Sequence, residues 1–540
     1  MRALLQRIDG RSYPAYRDLE GHWDLDGLEL IVDRVQGDPF AAPSRIRVRV
    51  DTGLPSEIAR DPDQRVAAED WLLRRFGRNL HGSARGSGKS GRMEVYRPGP
   101  EVTERTALRL LPDGTAEARF AVGLPAKGRR VLGRQAAVLL LEDVPRAAQR
   151  LFVEDRESID AHIASVVGQR TIRRALRKRG LVGFIANGSV LPRASGIDQR
   201  PLDNAVAFES PPSLEVEIDG LRGMGVPAGV VLLVGGGFHG KSTVLQALQR
   251  GHLDHVPGDG RERVVADPDT VKVRAEDGRR VASVDISPFL QNLPGGRATA
   301  PFHTDDASGS TSQAACIVEA VESGARLLLL DEDTSATNLL VRDERMRQLI
   351  PRDKEPITPL VERVRELHRE HGVSTLLVIG GVGDYLGVAD VVIAMDSYVP
   401  KDVTDRAREL AAAVPTAEAP FVLSESRTPV RDGLEPGKIR VRDGRAIGYG
   451  GGEIDLTSVE QVLDRAHAYT LGQAIAFLHE ELVDGKRSLA QILVAFDAIL
   501  DDEGLEVLSP RRYPDGGLVL PRRHEVAAAL NRVRTLKIRD

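Results

Sequence analysis

An α/β fold is predicted by three observations along residues 161–400. Four short apolar runs, Val230–Val234, Leu327–Leu330, Thr375–Ile379 and Val391–Ala394, have the length and continuous hydrophobicity of strands buried on both faces of a parallel sheet. Charged helical stretches such as Leu360–Glu370 separate the later runs, as a parallel sheet with covering helices requires. Directly after the first run stands Gly235-Gly236-Gly237-Phe238-His239-Gly240-Lys241-Ser242, and a helix is predicted over Thr243–Arg250.

The loop after the first run has the spacing G-x4-G-K-[ST] between a strand and a helix, the pattern of a phosphate-binding loop. Glycines there let successive backbone N–H groups curl around an anion, and the helix turns its positive N-terminal end toward it. Gly235, Gly236, Gly237, Phe238, His239, Gly240 and Thr243 are therefore assigned to nucleotide binding. Lys241 is assigned to the β/γ oxygens and Ser242 to Mg2+. The ligand predicted is a nucleoside triphosphate, ATP with Mg2+. The second run ends in Asp331-Glu332, about ninety residues further on. Asp331, at the C-terminal edge of a parallel strand, is placed to hold Mg2+ through water, and Glu332 to polarise an attacking water. A strand followed by a solvated acidic turn is the plain alternative. Between the two motifs, Ala307-Ser308-Gly309-Ser310-Thr311-Ser312-Gln313-Ala314 is rich in small hydroxyl donors and opens a helix predicted to run through Glu322. Such a capped start is also an anion site.

This order of motifs resembles an ABC-type ATPase, in which a signature loop precedes the acidic strand and binds the γ-phosphate of ATP held by the opposite subunit. The resemblance assigns Ser308, Gly309 and Ser310 to that loop, and Asp331–Asn338 to the acidic strand and the dimer-contacting loop after it. Asp333 replaces the usual proline and Asn338 the usual aspartate. Gln291, in Asp285-Ile286-Ser287-Pro288-Phe289-Leu290-Gln291-Asn292, is the choice for the Mg2+/water contact; a structural glutamine is the alternative. In Val378-Ile379-Gly380-Gly381, Gly380 occupies the place of the switch histidine. His239 is one candidate to substitute for it, with a solvent-facing loop histidine as the favoured alternative, and His303 and Asp384 are weaker ones.

These departures, with GGGFHGKST, VDISPF, SGSTSQAA, DEDTSATN, Glu355–Arg365 and Gly383–Asp390, are similar to a family of predicted ABC-class ATPases of bacteria and trypanosomatid mitochondria. The matches run nearly the full length. Membership implies an α/β, ABC-type P-loop ATPase core with additional N-terminal and C-terminal α+β domains. It further implies an ATP-binding homodimer without a membrane partner and, in the mitochondrial branch, association with RNA.

The flanks divide at 1–160, an N-terminal α+β domain, and at 438–540, a C-terminal α+β domain with a basic tail. The ATPase domain takes 161–437, including a connector at 396–437. A chain of 540 residues accommodates such a division. In the last region a hairpin is expected at Lys438–Val441 and Ala446–Tyr449, then helices near 457–484 and 488–501. There is no apolar run long enough for a membrane span. The start of the chain lacks a secretory signal and the single cysteine, Cys316, suits a reducing interior, so a cytoplasmic protein is expected. Cys316 reads as a small core residue. Phe208, upstream of the phosphate loop, also reads as core, and no aromatic is assigned to stack on adenine.

A net charge of −5 gives no global sign of nucleic-acid binding, so such a role must rest on local patches. Arg85-Gly86-Ser87-Gly88-Lys89-Ser90-Gly91-Arg92 imitates a phosphate loop, but Ser83 stands where the first glycine belongs and Met93–Tyr96 reads as extended. A polynucleotide contact through Arg85 and Lys89 remains open, against a solvated loop. Arg170, Arg173, Arg174 and Arg177 recur at helical spacing and are expected to form one positive face. A third patch is the tail with Arg511, Arg512, Arg522, Arg523, Arg532, Arg534, Lys537 and Arg539; of these, Arg532 and Arg534 join the candidate nucleic-acid set. The expected function is ATP hydrolysis at a head-to-tail homodimer interface, coupled to a polynucleotide, RNA before DNA. The alternatives are a nucleotide-gated scaffold with vestigial hydrolysis and the ATPase subunit of a transporter.

Overall fold

The computed structural model describes residues 1–540 except 294, 352–353, 416, 418–420, 512 and 540. Arg512 of the basic tail therefore lies outside the described residues. The chain forms two compact units, Met1–Val167 with Glu503–Leu520, and Gly168–Asp502 with Pro521–Asp540.

In the first unit an antiparallel sheet is ordered Gly21–Leu25, Leu28–Arg34, Ser44–Asp51, Thr115–Val122, Met93–Glu94, with Leu108–Leu110 also paired to Thr115–Val122. The helix Pro62–Asn79 starts where Asp61 accepts hydrogen bonds from the N–H groups of Asp63 and Gln64. It buries Leu72, Leu73 and Phe76. Phe76 meets Phe120 of the sheet edge to face, with ring centroids 5.3 Å apart.

The second unit is built on the parallel sheet that the apolar runs predict. Its elements are β1 (Val230–Val234), α1 (Lys241–Arg250), β2 (Thr270–Lys272), α2 (Gly309–Glu322), β3 (Leu327–Asp331), α3 (Val364–His371), β4 (Ser374–Val378), β5 (Val391–Asp396) and β6 (Val399–Asp402). The spatial order is β2-β3-β4-β1-β5-β6, with only β6 antiparallel. Alternate residues of each strand serve opposite layers. Val230, Leu232, Leu328, Leu330 and Leu377 pack with Ala314 and Ile317 of α2 and with Val364 and Leu367 of α3. Val231, Leu233, Leu327, Leu329 and Leu376 pack with Val244, Leu245 and Leu248 of α1 and with Ile185 and Met224 of a second, antiparallel sheet. Burial on both faces is why these runs are continuously apolar.

The strand β2 leaves one edge of this sheet, which the C-terminal region covers. Lys272 N–H donates to the Gln461 side chain at 2.9 Å, and the Gln461 amide donates to the Thr270 carbonyl at 3.0 Å. Such cover removes an edge open to pairing with other chains. The expected hairpin is present as Arg440–Arg442 and Ala446–Tyr449, extended by a third strand, Gly452–Asp455. Of the two helices expected after it, the first begins at Arg465 rather than near 457, because Asp464 caps it by accepting from Ala466 and His467 N–H groups. The second runs Leu489–Glu503.

Candidate active site

At the C-terminal end of β1 the chain turns through Gly235 (φ 131°) and closes at Gly240 (φ 98°), where α1 begins. A Cβ on Gly235 would stand 2.4 Å from the Met395 carbonyl oxygen, so the loop's first residue must be glycine to pass over β5. Lys241 folds back over the loop, its ammonium donating to the carbonyls of Gly235 at 2.6 Å and Gly236 at 2.8 Å. Phe238 is fully exposed with φ 64°. The helix begins two residues earlier than expected, at Lys241, so Ser242 and Thr243 lie in its first turn.

Asp331 ends β3, nearly buried, and its carboxylate accepts from the Asp333 N–H. Parallel pairing sets Asp331 opposite Val378 of β4, which brings the next residues of both strands together. As a result Glu332 Oε2 accepts from the N–H of Gly380 at 2.5 Å and of Gly381 at 3.0 Å. Behind this contact the buried Tyr385 hydroxyl donates to the Leu340 carbonyl at 2.8 Å. Burial drives that phenol well above its ordinary range, and the charges of Asp384 and Glu332 add to the shift.

These groups surround one cavity of about 510 Å3, lined by Gly235–Phe238, Gly240–Thr243, Asp331–Asp333, Val378, Gly380 and Tyr398. Sequence reasoning thus names most of its wall, and the fold brings the phosphate loop and the acidic pair together. The donor set fits a nucleoside triphosphate with Mg2+: one ammonium, a helix start with its N–H groups, one hydroxyl and one carboxylate. Mg2+ characteristically takes one or two protein oxygens and completes its shell with water and phosphate.

Two expectations are not met at this cavity. Gln291 is absent from its lining: Phe289 and Leu290 are buried in the core, and the Gln291 amide donates back to the Ser287 carbonyl at 3.2 Å. His239 is also absent. Its Nδ1 accepts from the Ser397 N–H at 2.8 Å, so its ring faces the β5–β6 turn rather than the γ-phosphate position. Ser308, Gly309 and Ser310, assigned to the ATP of an opposite subunit, open α2 and do not line the cavity of their own chain.

Two positions that sequence reasoning missed matter here. Gln313, fully buried on α2, donates to Ser335 Oγ at 3.0 Å and accepts from the Ala336 N–H at 2.7 Å. Ser335 in turn donates to the Asp331 carbonyl, so the signature helix is tied to the acidic strand. A lone amide beside Ala314 and Ala315 on an apolar helix face was the available signal. Tyr398 is the other, and nothing in its local sequence marks it. Cys316 is half-buried and burial raises its thiol pKa, which keeps it protonated and suits the core reading. Phe208 is 3% exposed, also in the core.

The basic helix differs from expectation. Arg170 and Arg173 each reach Asp254 at 2.7 Å, and Arg177 bonds Asp267 at 3.0 Å and Asp269 at 2.7 Å. Arg532 likewise pairs with Glu276 at 2.6 Å. Acidic residues distant in sequence neutralise this face, so helical spacing no longer argues for a nucleic-acid contact there. Arg174 and Arg534 are exposed.

Known families match this chain in three segments. The P-loop domain of the ABC_ATPase family matches residues 155–427, half of the chain. The chain belongs to the ABC-class ATPases. Residues 1–155 match the N-terminal region described as "ATPase of the ABC class N-terminal", and residues 438–539 match the MRB1590 C-terminal domain. The uncharacterized protein MJ1628 of Methanocaldococcus jannaschii is 31% identical over 252 residues, 44% of this chain and 55% of its own length. The chain therefore spans about half of that relative. Among solved structures, MJ1267 in its ADP conformation, an ATP-binding cassette of an ABC transporter, is similar with TM-score 0.23 and 10% identity over 36% of this chain and 91% of its own. The ABC transporter component cbiO1 from Clostridium perfringens has TM-score 0.26 and 15% identity over 41% and 87%. No helix among the described residues of this ABC-class ATPase is long and apolar enough to cross a membrane.

Proposed function

We propose that this ABC-class ATPase binds and hydrolyses ATP between two copies joined head to tail, and couples their closure to binding of a polynucleotide, RNA before DNA. The observation that carries the reading is the single cavity shared by Lys241, Ser242, Asp331 and Glu332. In it the phosphate loop and Lys241 hold the triphosphate. Ser242 and Asp331 are the side chains that would hold Mg2+, which when bound offsets phosphate charge. Glu332 takes a proton from the water attacking the γ-phosphorus, and the β–γ bridging oxygen leaves with ADP. Because Oε2 of Glu332 is held by two backbone N–H groups, Oε1 is the oxygen left for that water.

The place of the second copy is supported by the signature loop. Ser308, Gly309 and Ser310 open a 14-residue helix and do not line the phosphate-loop cavity of their own chain, so a partner's γ-phosphate is the anion they suit. The polynucleotide reading is supported by the loop with Arg85 and Lys89 in the first unit. The Ser87 N–H donates to the Ala126 carbonyl at 2.7 Å and the Gly128 N–H to Ser87 Oγ at 2.9 Å, which fastens this loop to the hairpin Ala126–Lys127/Arg130–Val131. Arg85, Lys127 and Arg129 are exposed on the pair, suited to phosphate contacts without base readout.

ATP turnover by the purified chain, with and without single- and double-stranded RNA, tests the proposal with Glu332→Gln as the blank. Turnover that one RNA form stimulates is expected, and Lys241→Ala abolishes ATP binding. Turnover in Glu332→Gln equal to wild type removes the general-base role, and indifference to RNA removes the polynucleotide. Gly380 in the switch position favours one second reading, a nucleotide-gated scaffold. It is the better account if wild-type turnover falls far below roughly 1 per second with every polynucleotide tried.

A further inference from the structure

Resting on the phosphate-loop reading above, we propose that Tyr398 is the platform on which the base of the bound nucleotide stacks, with His239 as the residue that positions it. The sheet order sets the direction. The strands β3 and β4, which end at or lead into Asp331, Glu332 and Gly380, lie on one side of β1, and the hairpin β5–β6 lies on the other. A triphosphate lying over the loop after β1 has its terminal phosphate at Glu332, so its nucleoside leaves toward β5–β6. Tyr398 occupies the turn of that hairpin and lines the same cavity.

The ring is both available and fixed. Tyr398 is 42% exposed, and its Cδ1 lies 2.8 Å from where a Cβ on Gly240 would stand, so the ring rests on the last glycine of the phosphate loop. Its backbone is in the left-handed region at φ 71°, after Ser397 at φ 52°. These are the two central residues of the β5–β6 turn, and positive φ at both is what such a two-residue hairpin turn requires. Two contacts fasten this turn to the phosphate loop: the Ser397 N–H donates to His239 Nδ1 at 2.8 Å, and the Tyr398 N–H to the His239 carbonyl at 3.1 Å. The loop that grips the phosphates therefore also orients the aromatic ring. The other aromatics near the loop do not qualify. Phe208 is sealed in the core, and Phe238 is fully exposed with nothing to fix its ring.

The test is calorimetric titration of the full chain, in Mg2+, with ATP and with inorganic tripolyphosphate, which keeps the phosphates and lacks the base. Tyr398→Ala is expected to weaken ATP roughly tenfold, the usual scale for one lost base–aromatic stack, and to leave tripolyphosphate unchanged. Tyr398→Phe and Tyr398→Trp keep wild-type affinity for both. Tyr398→Leu keeps an apolar group on Gly240 without a π face, and behaves as the alanine variant. Unaltered ATP binding by Tyr398→Ala or Tyr398→Leu overturns the proposal. So does a parallel loss of ATP and tripolyphosphate, which would make the ring a prop for the loop. A wild-type chain that binds neither ligand overturns the phosphate-loop reading and this one with it. Failure confined to the Tyr398 variants leaves that reading standing.

Discussion

In the proposed hydrolysis, Glu332 and its two amide donors bring the chemistry to one contact. Glu332→Gln keeps an oxygen for the N–H groups of Gly380 and Gly381 but cannot take a proton. Its kcat is expected to fall by about 10²–10⁴, the usual range for a lost general base, with ATP affinity retained. The amides themselves can be tested. A Cβ on Gly381 would lie 3.5 Å from Glu332 Oε1, ordinary contact, so Gly381→Ala preserves turnover. Gly381→Pro deletes the N–H and is expected to lower kcat while KM holds. Equal kcat for the two variants would show that this amide does not present Glu332. None of this contact is legible in the sequence, because 48 residues separate Glu332 from Gly380. Only the parallel register of β3 and β4 brings them together. What the sequence does show at Gly380 is an absence, a glycine in the place of a histidine.

At the scale of elements, legibility follows the range of the contacts. The phosphate loop and the acidic strand depend on spacing within ten residues, and both are where their patterns predict. The arginine helix depends on Asp254, Asp267 and Asp269, some 80–90 residues away, so its local pattern misleads. Tyr398 is invisible for the same reason, since its partner His239 is 158 residues upstream of Ser397. In the first unit, the helix Pro62–Asn79 carries a buried acid that spacing cannot reveal. Glu69 accepts from the Leu110 N–H at 2.9 Å and meets Arg65 at 3.2 Å, yet burial outweighs these partners and raises its pKa to about 7. A raised folded-state pKa contributes stability that is full below about 4.5, the unfolded value, and lost as pH rises through about 7. Glu69→Gln mimics the protonated acid, so its stability relative to wild type is expected to increase across that window, by on the order of 3 kcal/mol. Denaturant melts at pH 4.5 and 7.5 check this; a constant difference between the two proteins would contradict it.

At the scale of the whole molecule, the proposed hydrolysis requires a second copy of the chain. Each chain holds a complete phosphate loop and acidic pair, while its signature loop lies outside that cavity. The tie from Gln313 through Ser335 to Asp331 joins the acidic strand to α2, the helix that in the proposed dimer would face the second copy. The net charge of −5 fits this division of labour, since two copies double each exposed basic loop without making the surface basic overall. The most direct measurement is the solution mass of Glu332→Gln with ATP and Mg2+ against the same protein with ADP, by sedimentation velocity. A dimer with ATP and a monomer with ADP is the result this account predicts. A mass that ignores the nucleotide, in a protein shown by titration to bind it, would contradict closure of two copies on ATP.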